Sequence, residues 1–180
     1  ECPGAKDEYA LAKHAVSRWK KAFASYNERR ICIGNHDERP ERVGRSVHIP
    51  SELLKSYQDM WDMQDWQWNY NFWIDGVYYT HGTNVSGVHP AWTVAGRMGE
   101  SVVMGHCHSR AGIKWRANPR RRFFSMDVGC GIDIDAWQFV YGRDYTDRPI
   151  LSCGVVVDGI PYHEIMQIEK YPRGKYERKR

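Results

Sequence analysis

Apolar positions near the start of the chain recur at helical spacing: Tyr9, Ala12, Val16, Trp19 and Phe23. Steps of three and four put them on one stripe of an amphipathic helix, so 7–26 is predicted to be a helix with one buried stripe. Lys6, Lys13, Lys20 and Lys21 fall largely off that stripe, and Asp7 and Glu8 sit near its start, where the helix dipole favours acids. Asn27 marks its stop. The pattern then shortens to strands at 30–33, 70–74, 77–81, 101–104, 113–116, 123–128 and 155–157. Asp75-Gly76 between two apolar runs is the strongest hairpin signal, and Asp158-Gly159 suggests a second hairpin. The polar stretch 38–50 holds two prolines and reads as a loop, after which Ser51 is expected to cap a short helix over 51–54. The segment 60–73 is aromatic-rich and irregular, and 89–97 reads as a helix with Pro90 in its first turn. Strands and helices alternate early and strands dominate later, which suits an α/β domain with two packed sheets flanked by helices.

At 180 residues the chain is long enough for one domain with a real core. The reading assigns that domain to 1–168 and a basic tail to 169–180. The tail carries six Lys or Arg against two Glu, a net +4, which equals the charge of the whole chain. A second basic cluster comprises Lys114, Arg116, Arg120, Arg121 and Arg122. Basic tails attract nucleic acid with strong salt dependence, or they simply solubilise an end. No apolar run approaches the length of a membrane span, and the expected compartment is the cytoplasm, the host's if the source is viral. The five cysteines, Cys2, Cys32, Cys107, Cys130 and Cys153, are odd in number with no Cys-x-x-Cys, so they read as reduced thiols rather than a disulfide framework.

Three histidine motifs change the picture. Gly34-Asn35-His36-Asp37 follows the first predicted strand. Tyr79-Thr80-His81-Gly82 and Gly105-His106-Cys107-His108 follow two later ones. Strand ends of open α/β folds are where sites are built, and a glycine there lets the chain turn and approach a ligand. If the backbone at 106–108 is extended, both imidazoles point to one side and Cys107 points away.

In this order, the three motifs resemble those of the calcineurin-like metallophosphoesterases, over about 7–158. Met126-Asp127-Val128-Gly129-Cys130-Gly131-Ile132-Asp133 resembles a segment of phage and bacterial members. The resemblance implies a two-sheet β-sandwich flanked by helices and a metal-dependent phosphoester hydrolase, either a phosphatase or a phosphodiesterase of nuclease type. It implies two divalent ions, Mn or else Fe, Zn or Ni. Asn35, His81 and His106 would ligate one ion and His108 the other. His36 would act on the scissile phosphate as general acid or charge stabiliser, oriented by Asp37. Such a two-metal clamp neutralises charge on the attacking and leaving oxygens. The substrate would be a nucleotide, a nucleic acid or a phosphoprotein.

The family also carries Asp-x-His and Gly-Asp motifs upstream, and this chain contains neither. The expectation is therefore an N-terminally truncated phosphoesterase domain. The alternative is a non-catalytic remnant that binds metal or nucleic acid. Arg39 reads equally as a phosphate contact or a solvated loop charge. His14, His48, His89 and His163 have no motif and read as surface or structural. Asp127, Asp133 and Asp135 read as carboxylates of a Gly-rich turn bonded to backbone amides.

Overall fold

The computed structural model describes residues 4–132 and 147–168. The tail 169–180, Cys2, Asp133 and Asp135 lie outside the described residues. The chain forms two compact units, Glu1–Tyr70 and Asn71–Arg180.

In the first unit, helix α1 spans Ala5–Ala22. Its apolar stripe is half-buried, and Trp19 is 58% exposed instead of buried. The reason is the small sheet in this unit. Strand β1 (Arg30–Cys32) pairs in parallel with β2 (Gln67–Asn69), and among the described residues these two strands make up that sheet. Ring contacts carry much of the packing: Trp19 stacks on Phe23 at 5.4 Å between centroids, and Tyr9 meets Trp61 at 5.6 Å.

Two expectations fail here. The stretch read as a loop over 38–50 contains helix α2 (Arg39–Ser46). Pro40 occupies its first turn, where a missing N–H costs nothing, so the prolines bracket the helix instead of breaking it. Its residues are mostly exposed, with Gly44 alone buried, so no apolar period betrays it. Ser51 does not cap. It begins a 3-10 turn, Ser51–Leu53, preceded by Pro50. The capping serine is Ser56, whose hydroxyl accepts the Asp59 N–H at 3.1 Å and opens helix α3 (Tyr57–Trp61), whose last two residues enter the segment read as irregular.

The second unit is α/β, built on a five-stranded mixed sheet. Its strands are β3 (Asn71–Ile74), β4 (Val77–Thr80), β5 (Ser101–Met104), β6 (Ala111–Ala117) and β7 (Arg122–Val128), in the spatial order β3-β4-β5-β7-β6. Strands β4, β5 and β7 run parallel, while β3 and β6 are antiparallel edges. The β3–β4 turn is Asp75-Gly76, with φ of 49° and 75°, the left-handed pair a two-residue hairpin requires.

Helix α4 (Pro90–Met98) covers one face, packing Ala91 and Ala95 on Val102, Met104 and Phe123. A hairpin of β8 (Ser152–Val157) and β9 (Ile160–Ile165) lies against the other, where Val156 meets Val77, Phe124 and Met126. A β-carbon on Gly154 would sit 2.6 Å from Met126 Cε, so glycine allows the hairpin to approach. Alternation along β7 divides its side chains: Phe123 faces α4, while Phe124 and Met126 face the hairpin.

Candidate functional site

The parallel arrangement brings the ends of β4 and β5 to one edge. Thr80 and Met104 are register partners, so His81 and Gly105-His106 leave the sheet at the same level. Gly105 N–H donates to the Thr80 carbonyl at 3.4 Å. His81 Nε2 and His106 Nδ1 then lie 3.1 Å apart, with ring centroids at 5.0 Å and planes 69° apart.

His106 itself carries the unusual backbone, with φ of 68°. A non-glycine residue in the left-handed region is uncommon and costs roughly 1–3 kcal/mol when held there, which marks it as functionally suspect. The two motif glycines differ in purpose. Gly82 has φ of 90°, and a β-carbon there would fall 2.5 Å from Met104 Sδ. At Gly105 the same atom would meet His81 O at 3.9 Å, an ordinary contact. Packing therefore demands glycine at 82 and not at 105.

Cys107 is half-buried and its thiol donates weakly to the Val85 carbonyl at 3.7 Å. Burial pushes its pKa up, Asp127 adds to that and Arg110 opposes it. The His108 side chain is half-buried, and its carbonyl accepts the Ile150 N–H at 2.8 Å, which anchors the motif's last residue. Arg110 next to this turn pairs with Asp147 at 3.0 Å.

Asp127 is placed in β7, not in a turn. Alternation turns it toward α4, and its Oδ1 accepts the Ala91 N–H at 3.1 Å. It thus bonds to a backbone amide as expected, but as a side-chain cap on a helix. That contact holds α4, and hence the loop between His81 and α4, against the sheet. The sequence does not announce this role, because the partner amide lies 36 residues away on another element. His89 sits just before α4, exposed, with its carbonyl accepting the Thr93 N–H at 3.1 Å.

The Gly34-Asn35-His36-Asp37 motif belongs to the first unit. It follows β1, where Ile33 N–H donates to Asn69 O at 2.9 Å. The Asp37 carboxylate accepts the Gly34 N–H at 2.8 Å and closes the loop on which His36 is displayed. Burial raises the Asp37 pKa, and the Gly34 N–H and His36 partly offset it. Asn35 is half-buried and His36 exposed. Arg39 is exposed at the start of α2. A cleft of about 670 Å³ beside Asp37 is lined by Tyr9, Glu41, Leu54 and Tyr57 among others, and Tyr57 Oη donates to Glu41 at 3.2 Å.

Of the sequence-identified residues, the structure brings His81 and His106 into direct contact. Among the described residues, no three or more His, Cys, Asp or Glu side chains are grouped to hold a metal. Cys32, Cys107, Cys130 and Cys153 are free thiols, and burial pushes Cys32 up to about 11, so it is protonated at neutral pH. No helix among the described residues is long and apolar enough to cross a membrane. No protein-family model matches the chain, and no curated protein matches it.

Proposed function

We propose that the chain is a metal-dependent phosphoester hydrolase domain of the calcineurin-like two-sheet type, in which His81 and His106 hold one divalent ion. The observation that carries this reading is the 3.1 Å approach of the two imidazole nitrogens at the ends of adjacent parallel strands. At this distance the two rings share a hydrogen bond. Two nitrogens each roughly 2.0–2.1 Å from one ion and near a right angle also lie about 3 Å apart, so an ion that displaces the shared proton fits between them. Imidazole donors suit Mn, Fe, Zn or Ni. The left-handed His106 supports the reading, because strain is retained where it serves a site.

A bound divalent ion supplies Lewis-acid polarisation of a phosphoryl oxygen and a lowered pKa for water. The chain's own residues do the rest. His81 and His106 are positioned by paired strand ends, and Gly82 lets Met104 fill the space beneath. His108, whose carbonyl accepts the Ile150 N–H, is the residue proposed for a second ion. In the first unit, taken by itself, Asp37 accepts the Gly34 N–H and fixes the loop that displays His36. The substrate class is a nucleotide, a nucleic acid or a phosphoprotein.

The test is Mn-dependent hydrolysis of chromogenic phosphomonoesters and phosphodiesters by the full chain and by His106→Ala. Metal-dependent turnover that disappears in the variant is the expected result. Turnover unaffected by His106→Ala would overturn the assignment. A second reading, a non-catalytic metal-binding domain, is favoured by one observation: only two imidazoles converge among the described residues. Metal binding that depends on His81 and His106, without turnover of either ester class, would select it.

A further inference from the structure

The stretch 97–122 carries seven Lys or Arg and one Glu, a net +6 in a chain of net +4. The structure concentrates this charge around edge strand β6 and the turn that follows it. Lys114 and Arg116 lie toward the α4 face, where the Arg116 guanidinium sits 4.1 Å from the Trp92 ring centroid. Trp115 lies toward the opposite face, against Phe124 at 5.6 Å, and Arg122 sits 4.8 Å over its ring. At the turn, Asn118 Oδ1 accepts the Arg120 and Arg121 N–H groups at 2.9 and 3.0 Å and fixes the tip.

The cluster is only partly compensated internally, with Asp127 within electrostatic reach of Lys114. Arg121 pairs with Glu100, and its Nε also donates to the Gly99 carbonyl at 3.1 Å. Among the described residues, no carboxylate forms an ion pair with Lys114, Arg116, Arg120 or Arg122. Guanidinium groups seated on indole rings are held in place without being discharged, so they lose little freedom on meeting an anion. Like charges this close repel, and the fold gains nothing from them unless an anion is met or the edge must be kept from pairing.

We propose that the β6 edge and its turn form a docking surface for nucleic acid, contacting backbone phosphates through Lys114, Arg116, Arg120 and Arg122. The strand is seven residues long, roughly 20–23 Å at about 3.3 Å per residue. Its cations emerge from both faces and from the tip, so one continuous polyanion is the partner that meets them all. Duplex DNA presents a charge about every 1.7 Å of axis and does so in any register, whereas acidic protein surfaces carry scattered charges. The surface reads no bases, so binding is independent of sequence. It runs away from the imidazole edge, because β7 begins at Arg122 and ends at Val128 beside that edge.

The experiment measures fluorescence anisotropy of a labelled 20-base-pair DNA duplex with the full chain across a salt series. It compares the wild type with Lys114→Gln/Arg120→Gln, both exposed positions whose loss leaves the packing intact. The control removes two charges from the tail, Lys175→Gln/Lys179→Gln. Each phosphate contact contributes about 0.9 to the slope of log K against log salt. The hairpin pair is therefore expected to reduce the slope by about 1.8. No binding by wild type at 50 mM salt overturns the proposal, as does an unchanged slope in the hairpin variant while the tail variant loses it. Competition by polyglutamate as strong as by unlabelled duplex would assign the surface to acidic protein and overturn it equally.

Discussion

Asp127 Oδ1 accepts the backbone N–H of Ala91 across 36 residues of sequence, so a strand carboxylate closes the first turn of α4. Removing the acceptor leaves an orphan helix donor next to the buried Ala91. Asp127→Ala is expected to cost about 1 kcal/mol, within the usual range for a lost N-terminal cap. Burial raises the Asp127 pKa, while the Ala91 N–H, His89, Lys114 and Arg110 lower it. The folded protein thus keeps a proton that the unfolded chain has released. The group's stabilising contribution is full below the ordinary value of 3.8 and is lost as pH rises through the raised folded value. Urea midpoints across pH 3.5 to 7 check this. Asp127→Asn should flatten that part of the profile, and an identical profile in the variant would assign the dependence to other carboxylates.

The two glycines flanking the candidate site should respond differently to alanine. At Gly82 the backbone is left-handed, and the added carbon would strike Met104, which is fully buried and cannot retreat. Strain and overpacking together make a loss of roughly 1–3 kcal/mol the expectation. Gly105→Ala meets only ordinary contacts and should stay within about 0.5 kcal/mol of wild type. Thermal melts of the two variants decide it, and equal losses would mean the turn at 105 is more constrained than its contacts indicate.

These residues also show what the sequence made legible. The hairpins at Asp75-Gly76 and Asp158-Gly159 were readable because two successive left-handed positions admit few residues, and both pairs adopt them. Strands 77–80 and 101–104 were readable because apolar, β-branched runs mark sheet, and their ends placed His81 and His106. Helix α2 was hidden because Arg39, Arg42, Val43 and Arg45 are exposed, so burial imposed no period on its sequence. The left-handed backbone of His106 was equally hidden, since it lies in no Asp-Gly or Asn-Gly turn that would announce it. The cap from Asp127 depends on strand register and a distant helix, information that local spacing does not contain.

Binding to the native state raises stability by mass action. At a ligand concentration of 100 times Kd the gain is about 2.7 kcal/mol. Mn or Zn should therefore raise the melting temperature of the full chain, and a chelator should reverse it. His81→Ala and His106→Ala should each abolish the shift, because a single remaining imidazole holds a divalent ion poorly. His14→Ala, an exposed position on α1, should retain it. A shift that survives both site variants would place the ion elsewhere.

The backbone at His106 allows strain and ligation to be separated at one residue. Both His106→Ala and His106→Gly delete the imidazole, and with it the contact to His81. They differ in the β-carbon, which disfavours the observed φ of 68° in alanine and is absent in glycine. Holding an L-residue in that region costs roughly 1–2 kcal/mol. Glycine should recover most of this, less up to about 1 kcal/mol of extra chain entropy in the unfolded state. His106→Gly is therefore expected to be the more stable of the two by about 0.5–1 kcal/mol in urea unfolding, with metal-dependent stabilisation lost from both. Such a result would mean the fold carries a standing cost at position 106 that only the imidazole's work there offsets. Equal stability of the two variants would show that the turn relaxes once the side chain is gone, and that no strain is stored in it.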